Sequence, residues 1–321
     1  QCGFLSKFWS NYDNFQKLIR MSPLISIVMA TYNGEKYLRE QVESLLTQSY
    51  PSLEFIFVDD ASTDSSLAIL QEYARQDERI HLIANPVNQG LLATFETGIR
   101  AAKGEMIALS DQDDVWMPEK ISLLAGAIGA HSLIYADSAL TDAAGSVTGK
   151  FSDRNYLCDY PSALHYTFGT KAMGHAMLFK REIIAIALPF PDYVGHDYIL
   201  GFAAAALNGV VYFSQTLVNY RQHSTNTMGA DLSKGKKNYN TRTERNVRIV
   251  KRLELIANRC PEGSEKQILR GLAQDFALNS VVARVRRFLC IAQHHRAMLA
   301  YKGKSALGSF LYSFKLLISI F

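Results

Sequence analysis

Three carboxylates within four residues, in the motif Asp111-Gln112-Asp113-Asp114, form the densest group of chemically capable side chains in the sequence. Carboxylates this close repel one another unless a positive charge lies among them. A divalent cation with oxygen ligands, such as Mg2+ or Mn2+, would remove that repulsion. The same cation could neutralise a leaving diphosphate. The competing interpretation is a solvated turn that caps the next helix. The place of the motif, directly after an apolar run, favours the metal.

Three further acidic residues can also do chemistry. Asp59 and Asp60 follow an apolar run, where a carboxylate can accept hydrogen bonds from a nucleoside or stabilise the start of the next helix. Asp197 follows His196 at the start of an apolar segment. This carboxylate can act as a general base if it faces a cleft, or it can cap the helix.

His223 and Arg221 lie two positions apart in a polar segment. Arginine can bind phosphate through charge-assisted hydrogen bonds, and histidine can bind a metal. An isolated histidine more often has a structural role, so this pair alone is a weaker candidate than the acidic motif.

The elements that must position these residues alternate between short apolar strands and amphipathic helices. Strands are predicted at 24–30, 53–58, 80–84 and 105–110, and helices at 35–48, 64–76 and 91–102. This alternation predicts an α/β fold with a parallel sheet and right-handed crossovers. Four polar clusters follow strand ends, where ligands bind on such sheets: Thr31-Tyr32-Asn33, Asp59-Asp60, Asn88-Gln89-Gly90 and Asp111–Asp114. The sequence therefore predicts an active cleft at that edge.

The second half of the chain predicts a helix from Pro118 to about 130 and then fewer regular elements. Strands are predicted at 132–136, 174–180 and 209–213, an apolar helix at 197–208, and loops at 141–165 and 219–229. From about 240 the pattern is helical, with helices predicted at 241–258, 264–279 and 280–301, followed by an apolar segment at 305–321. These patterns predict an N-terminal amphipathic extension (1–20), a catalytic domain (21–230) and a basic helical region (231–321).

The composition and charge exclude several classes of protein. A chain of 321 residues with 48% apolar and 20% charged residues is typical of a globular protein, which excludes global disorder and collagen-like structure. Residues 231–321 contain 18 Lys/Arg and 6 Asp/Glu, whereas residues 1–230 contain 16 and 24. The basic end predicts contact with an anionic membrane surface or nucleic acid. No nucleic-acid recognition motif accompanies the charge, which favours the membrane.

Missing motifs narrow the chemistry further. The four cysteines have neither CxxC nor zinc spacing, so reduced cysteines in a cytoplasmic chain are expected. No apolar stretch reaches the ~18 residues that a membrane-spanning helix needs. The absence of GxGxxG after the first strand, of GxxxxGK[ST] and of a nucleophile elbow disfavours dinucleotide redox chemistry, P-loop hydrolysis and serine hydrolysis.

Several sequence blocks match a known family in order and spacing. They are ISIVMATYNGEKYLREQVESLLTQSY, FIFVDDASTDSS and NQGLLATFETGIRAAKGEMIALSDQDDVWMPEK. Over about residues 24–229 the chain strongly resembles the family 2 glycosyltransferases of GT-A fold. Within that family, SDQDDVWMPEK followed by GHDYILGFAAAALNG and LVNYRQHSTNTMG most resembles the rhamnosyltransferase-like branch.

The resemblance implies roles for individual residues. Nucleotide-sugar contact is expected of Thr31, Tyr32, Glu35, Asp60, Asn88, Asp111, Asp114 and Arg221. Metal binding is expected of Asp113 and His223, and the role of general base is expected of Asp197. The acceptor side is expected to include Gly174, His175 and His196; this last residue stands where glutamate is common in the family.

The implied reaction is coherent. The partners would be a nucleotide-diphosphate sugar, most simply dTDP-L-rhamnose, and a glycan or lipid-linked acceptor, with Mn2+ or Mg2+ as cofactor. Transfer would occur with inversion at the anomeric carbon, in the bacterial cytoplasm at the inner face of the membrane. Three alternatives stay open: a transferase that uses a UDP-hexose or UDP-N-acetylhexosamine, a nucleotidyltransferase, and a non-catalytic scaffold. The segment TYNGEKYL lacks the Gly-rich basic loop that a nucleotidyltransferase would need.

Overall fold

A computed structural model describes residues 22–223, 242–278 and 280–319 of the chain. The predicted extension (1–20) and most of the predicted loop at 219–229 lie outside these residues. The described residues form two compact units, divided between Leu123 and Leu124. The predicted domain boundaries after residues 20 and 230 remain predictions.

The first unit contains a parallel sheet with the strand order β3-β2-β1-β4. Its strands are β1 (Ile25–Thr31), β2 (Leu53–Asp59), β3 (Ile80–Ala84), β4 (Met106–Ser110) and the two-residue β5 (Val115–Trp116), which follows β4 along the chain. Every residue of β1, β2 and β4 is buried, as expected for strands covered on both faces. The register pairs Thr31 with Asp59, so the polar segments after β1 and β2 begin at the same edge of the sheet.

Three helices connect these strands: α1 (Glu35–Leu46), α2 (Ser66–Gln76) and α3 (Leu91–Ala101). The four strands and three helices predicted for this part of the chain are confirmed, with ends that differ by two residues at most. Helix α3 comes very close to the sheet at Gly98. A Cβ atom there would lie 2.3 Å from Cγ1 of Val28 and 3.2 Å from Cγ2 of Val58. The glycine therefore sets the distance between helix and sheet.

The second unit is built around β6 (Leu133–Thr141). This strand pairs in parallel with β9 (Val210–Arg221) and antiparallel with β7 (Val147–Lys150) and β8 (Met177–Lys180). The sheet of this unit is therefore mixed. Helix α4 (Lys120–Ala127) contains the boundary between the units, and α5 (Ile184–Ala187) and α6 (His196–Ala205) follow β8.

The sequence pattern predicted β6 and β9 too short. The strands run to Thr141 and Arg221, so the predicted loop at 219–229 is wrong over its first three residues. The two strands pair along their full lengths, with irregular register around Asp137. In the sequence, a polar residue after an apolar run predicts the end of a strand, so β6 was expected to end before Asp137. The strand continues because buried Asp137 accepts hydrogen bonds from the backbone N–H and the hydroxyl of Ser152.

Two smaller sequence expectations also differ from the structure. The predicted strand at 174–180 begins only at Met177, because residues Gly174–Ala176 form a 3-10 turn. The segment 141–165, predicted as loops, contains the short strand β7.

The C-terminal part of the second unit is helical, as predicted. Its helices are α7 (Arg242–Arg259), α8 (Ser264–Ala277), α9 (Val281–Gln293), α10 (His295–Met298) and α11 (Ala306–Ser319). The single helix predicted at 280–301 is wrong: the backbone leaves helical geometry at His294 and again at Leu299. These turns bury Met298 and Leu299. Within the described residues, no helix is both long enough and apolar enough to cross a membrane.

The close approach at Gly98 gives a test of this packing. Gly98→Ala is expected to lower the free energy of unfolding by about 1–3 kcal/mol, because the added methyl overpacks the contact with Val28 and Val58. The matched control is Gly271→Ala in α8, where a Cβ atom meets nothing within 4 Å and the higher helix propensity of alanine should stabilise by up to about 1 kcal/mol. Thermal unfolding of both variants measures the difference. Equal midpoints would contradict the packing described.

Candidate active site

The loops after β1 and β2 are held together by reciprocal hydrogen bonds. The Asn33 side-chain oxygen accepts from the backbone N–H of Thr63 (2.8 Å), and the Asn33 N–H donates to the Ser62 hydroxyl (3.0 Å). The Glu35 carboxylate accepts from the N–H of Ser65 (2.9 Å). Asn33 has a positive φ of 49°, a conformation that asparagine tolerates better than most residues. The loop segments TYNGE and DDASTDS thus stabilise each other's conformation.

The Asp60 carboxylate fixes the loop that follows β3. It accepts hydrogen bonds from the Asn85 side chain (2.8 Å) and from the backbone N–H groups of Gln89 (2.9 Å) and Gly90 (2.8 Å). Burial opposes ionisation of Asp60, but these hydrogen bonds outweigh it, so its pKa lies below the ordinary value. Asp60 therefore orders the segment that carries the exposed Asn88.

The loop after β4 is joined to the loop after β1 by Gln112. Its side chain accepts from the Tyr32 N–H (2.8 Å) and donates to the Tyr32 carbonyl (3.1 Å). Gly34 leaves room for this contact, because a Cβ atom there would lie 2.5 Å from the Gln112 side chain. Gln112, which lies between Asp111 and Asp113, thereby fixes the backbone of Tyr32. The side chain of Tyr32 is exposed.

A buried lysine of the same unit interacts electrostatically with the acidic motif. Lys120 is fully buried, and its Nζ lies 3.0 Å from the centroid of the Trp116 ring. Burial lowers the pKa of Lys120 well below its ordinary value, while the carboxylates of Asp114 and Asp111 oppose that shift. The sequence pattern predicted a divalent cation among these carboxylates and did not indicate a role for this lysine, six residues after Asp114.

The same carboxylates offer ligands of the chemistry that a divalent cation needs. An oxygen of Asp111 and one of Asp114 lie within 4.8 Å of each other, and Asp113 is partly exposed on the same turn. Hard oxygen donors at this separation fit Mg2+ or Mn2+.

Two buried polar atoms lie at the ends of β1 and β2. Among the described residues, the Thr31 hydroxyl and the Oδ1 atom of Asp59 have no hydrogen-bond partner. These residues are paired in register on neighbouring strands. Buried polar groups normally find partners, so the Asp59 oxygen can accept a hydrogen bond from a bound molecule and the Thr31 hydroxyl can donate or accept one. Of the two acidic residues here, Asp59 keeps this capacity while Asp60 orders a loop.

In the second unit, Asp197 lies in the first turn of α6, directly after His196. The Asp197 Oδ1 atom accepts from the N–H of Tyr198 (2.7 Å). Two glycines make room for the pair: a Cβ atom on Gly174 would lie 2.6 Å from Nε2 of His196, and one on Gly195 would lie 2.6 Å from Oδ1 of Asp197. Burial lowers the pKa of His196, and the adjacent Asp197 carboxylate opposes that shift. A neutral imidazole therefore accompanies the carboxylate at pH 7.

His175 and Arg221 lie near the carboxyl ends of β6 and β9. The Nε2 atom of His175 is 3.0 Å from the Ser138 hydroxyl, and its ring centroid is 4.4 Å from that of Tyr220. Buried Arg221 donates to the carbonyl of Ala143 (3.3 Å). Ser138 and Tyr220 were not predicted from the sequence, because β6 and β9 were expected to end before these residues.

Comparison with known proteins identifies the family. The profile of glycosyl transferase family 2 matches residues 26–185. An uncharacterised glycosyltransferase of Haemophilus influenzae is 33% identical over 178 residues, which cover 55% of this chain and 69% of that protein. The chain belongs to glycosyltransferase family 2. It is also 39% identical over 99 residues to TuaG of Bacillus subtilis, a putative teichuronic acid biosynthesis glycosyltransferase, although this match covers only 31% of the chain and 39% of TuaG.

Solved structures support the GT-A fold. The Staphylococcus aureus protein TarS (residues 1–349), crystallised with UDP-GlcNAc, matches with a TM-score of 0.57 and 16% identity over 92% of this chain and 90% of that one. The mannosyltransferase PcManGT of Pyrobaculum calidifontis, in complex with GDP-Man and Mn2+, matches with a TM-score of 0.52 and 17% identity over 94% and 82%. The predicted α/β GT-A fold is confirmed, whereas the rhamnosyltransferase-like branch remains a prediction.

The depressed pKa of Asp60 predicts how its contribution to stability depends on pH. An ionised Asp60 stabilises the fold above the pKa of an unfolded aspartate, about 3.9, and this contribution is lost as the pH falls through the lower folded pKa. Asp60→Asn should therefore cost about 1–3 kcal/mol near neutral pH and progressively less below about pH 4.

Thermal unfolding between neutral and acidic pH measures this difference. The control is Asp192→Asn, at an exposed residue, which should leave the midpoint unchanged throughout. A deficit of the Asp60 variant that stays constant down to acidic pH would contradict the account.

Proposed function

We propose that the protein is an inverting glycosyltransferase. It transfers a sugar, L-rhamnose from dTDP-L-rhamnose, to a hydroxyl of a cell-surface polysaccharide or a lipid-linked glycan. The observation that carries the proposal is the Asp197 carboxylate at the start of α6, with one oxygen held by the Tyr198 N–H and with space left for it by Gly195. Family membership supports sugar transfer as the reaction.

The bond changes follow from direct displacement. The acceptor hydroxyl oxygen forms a bond to the anomeric carbon, and the bond from that carbon to the diphosphate oxygen breaks. The acceptor proton passes to the Asp197 carboxylate, which acts as a general base. Burial lowers the pKa of His196 and so favours a neutral imidazole beside this base. A β-linked donor gives an α-linked product, because the nucleophile enters opposite the leaving group.

The first unit supplies the donor side in this proposal. Thr31, Tyr32, Glu35, Asp60 and Asn88 hold the nucleotide, either directly or by ordering the loops that touch it. The hydrogen bonds of Asp60 and Glu35 to neighbouring loops support an ordering role for these two residues. The unpartnered Thr31 hydroxyl supports direct contact.

The acidic motif and the end of β9 are assigned to the diphosphate. Asp111 and Asp114 contact the nucleotide sugar, and one oxygen of each, within 4.8 Å of the other, is also placed to bind the metal. Asp113 and His223 complete the ligands of Mn2+ or Mg2+, and Arg221 carries a charge that attracts phosphate. A bound divalent cation neutralises charge on the departing diphosphate. Gly174, His175 and His196 are assigned to the acceptor side.

The choice of donor stays open within the proposal. TarS was crystallised with UDP-GlcNAc and PcManGT with GDP-Man, so relatives of one fold use different nucleotides. A transferase that uses a UDP-hexose or UDP-N-acetylhexosamine is the alternative. The name of TuaG supports a cell-envelope acceptor. We assign the protein to the cytoplasm, at the inner face of the cytoplasmic membrane.

The role of Asp197 can be tested by one substitution. Asp197→Asn should lower turnover by about 10²–10⁴-fold, because the amide cannot take the acceptor proton. Stabilisation by dTDP-, UDP- or GDP-sugars in thermal shift, with Mn2+ and with EDTA, should match that of the wild type. Asp192→Asn, five residues earlier and exposed, is the control with unchanged turnover. Full activity of the Asp197 variant would remove this residue as the base.

A further inference from the structure

Up to Phe314, where its side chains are described, helix α11 has the reverse of the usual polarity of a surface helix. Its buried side carries Ser309 and Ser313, which are 4% and 1% exposed. Its exposed side carries Leu307 and Leu311, which are 68% and 57% exposed, together with Phe314. A helix on a protein surface normally turns its apolar residues inward. The apolar side of α11 therefore lacks the cover that such residues usually have within the described part of the chain.

Helix α9 adds a second exposed apolar stripe. Val281, Val285 and Leu289 follow one another at intervals of four residues and are all exposed, Val281 to 74%. Phe288 of α9 contacts Phe314 of α11, with ring centroids 4.7 Å apart. This contact joins the two stripes. We call the surface formed by Val281, Val285, Leu289, Leu307, Leu311 and Phe314 the α9–α11 face.

The sequence around this face has one sign of charge. From residue 278 to 321 there is no Asp or Glu, but there are seven Lys or Arg. Arg296, Lys302 and Lys304 are exposed. Arg286 pairs with Asp275 of α8, at 2.6 Å. The sequence around the apolar face therefore carries an excess of positive charge, which includes the exposed Arg296, Lys302 and Lys304.

The combination of charge and apolar surface selects among possible occupants. A second copy of the chain docked through the same face would bring like charges together in a symmetric contact. Nucleic acid would match the charge but would leave the aliphatic side chains uncovered. An anionic phospholipid surface matches both, because the headgroups attract Lys and Arg while the acyl region takes the Leu, Val and Phe side chains.

We propose that the α9–α11 face binds an anionic phospholipid surface, with both helices lying in the plane of the interface. The proposal deepens the membrane location given under the proposed function and rests on it. It does not require that sugar transfer takes place, because the helices and their charges are present in the chain without donor or acceptor.

Vesicle flotation of the full chain tests this proposal. Vesicles of phosphatidylcholine alone are compared with vesicles that also contain phosphatidylglycerol. The wild type should bind the anionic vesicles at least about five-fold better, and about 0.5 M salt should remove most of the difference, because screening shortens the reach of each charge. The apolar variants L307S/L311S and V281S/V285S should each weaken binding by about five-fold or more.

Matched controls separate the face from general surface effects. Val87 and Val147 are 62% and 65% exposed and lie outside the helical region, so V87S/V147S should bind like the wild type. For charge, K302Q/K304Q should lose the preference for anionic vesicles, whereas K103Q/K150Q should keep it. Unchanged thermal unfolding shows that each variant is folded.

Several results would overturn the proposal. They are equal binding to neutral and anionic vesicles, absence of binding to both, and wild-type binding by the two apolar variants. A dimer in sedimentation velocity that L307S/L311S converts to a monomer would instead place a second copy on this face. If the protein does not bind vesicles but is still stabilised by nucleotide sugars, only the proposed binding to a lipid surface is refuted. Normal vesicle binding without any such stabilisation would remove only the proposed activity.

Discussion

The buried carboxylate of Asp60 is the interaction on which the candidate donor side depends. It lies directly after β2 and binds the Asn85 side chain and the N–H groups of Gln89 and Gly90. These contacts tie the end of one strand to the loop that precedes α3. Because a charged group in a buried position must have partners, the loop cannot move away without a large loss of stability. The edge of the sheet is therefore held in one conformation before any ligand binds.

The other loops at this edge are also held by side chains that bind the backbone of a neighbouring loop. Asn33 and Glu35 bind the backbone at the start of α2, and Gln112 binds the backbone of Tyr32. Each of these side chains satisfies backbone groups that would otherwise face solvent or remain unpaired. The motif residues thus have structural work in the free protein. Preorganisation of this kind lowers the entropic cost of binding a flexible nucleotide sugar.

The sequence predicted the first unit well and the second less well, for physical reasons. Strands β1, β2 and β4 of the first unit are buried throughout, so their apolar runs end near the ends of the strands. In the second unit, β6 continues through Asp137, whose carboxylate is buried and bonded to Ser152. Periodicity cannot predict such a partner fifteen residues away. Likewise, nothing in the sequence distinguishes Lys120, and only the structure shows that it is buried against Trp116 and interacts electrostatically with Asp114 and Asp111.

The reaction proposed for this protein is sugar transfer with inversion from a nucleotide donor. NMR spectroscopy of the reaction with dTDP-, UDP- and GDP-sugars and a glycan acceptor tests it most directly. We expect that one donor is consumed and that a nucleoside diphosphate is released. The anomeric configuration of the product should be opposite to that of the donor. Retention of configuration, or release of pyrophosphate in place of a nucleoside diphosphate, would contradict it.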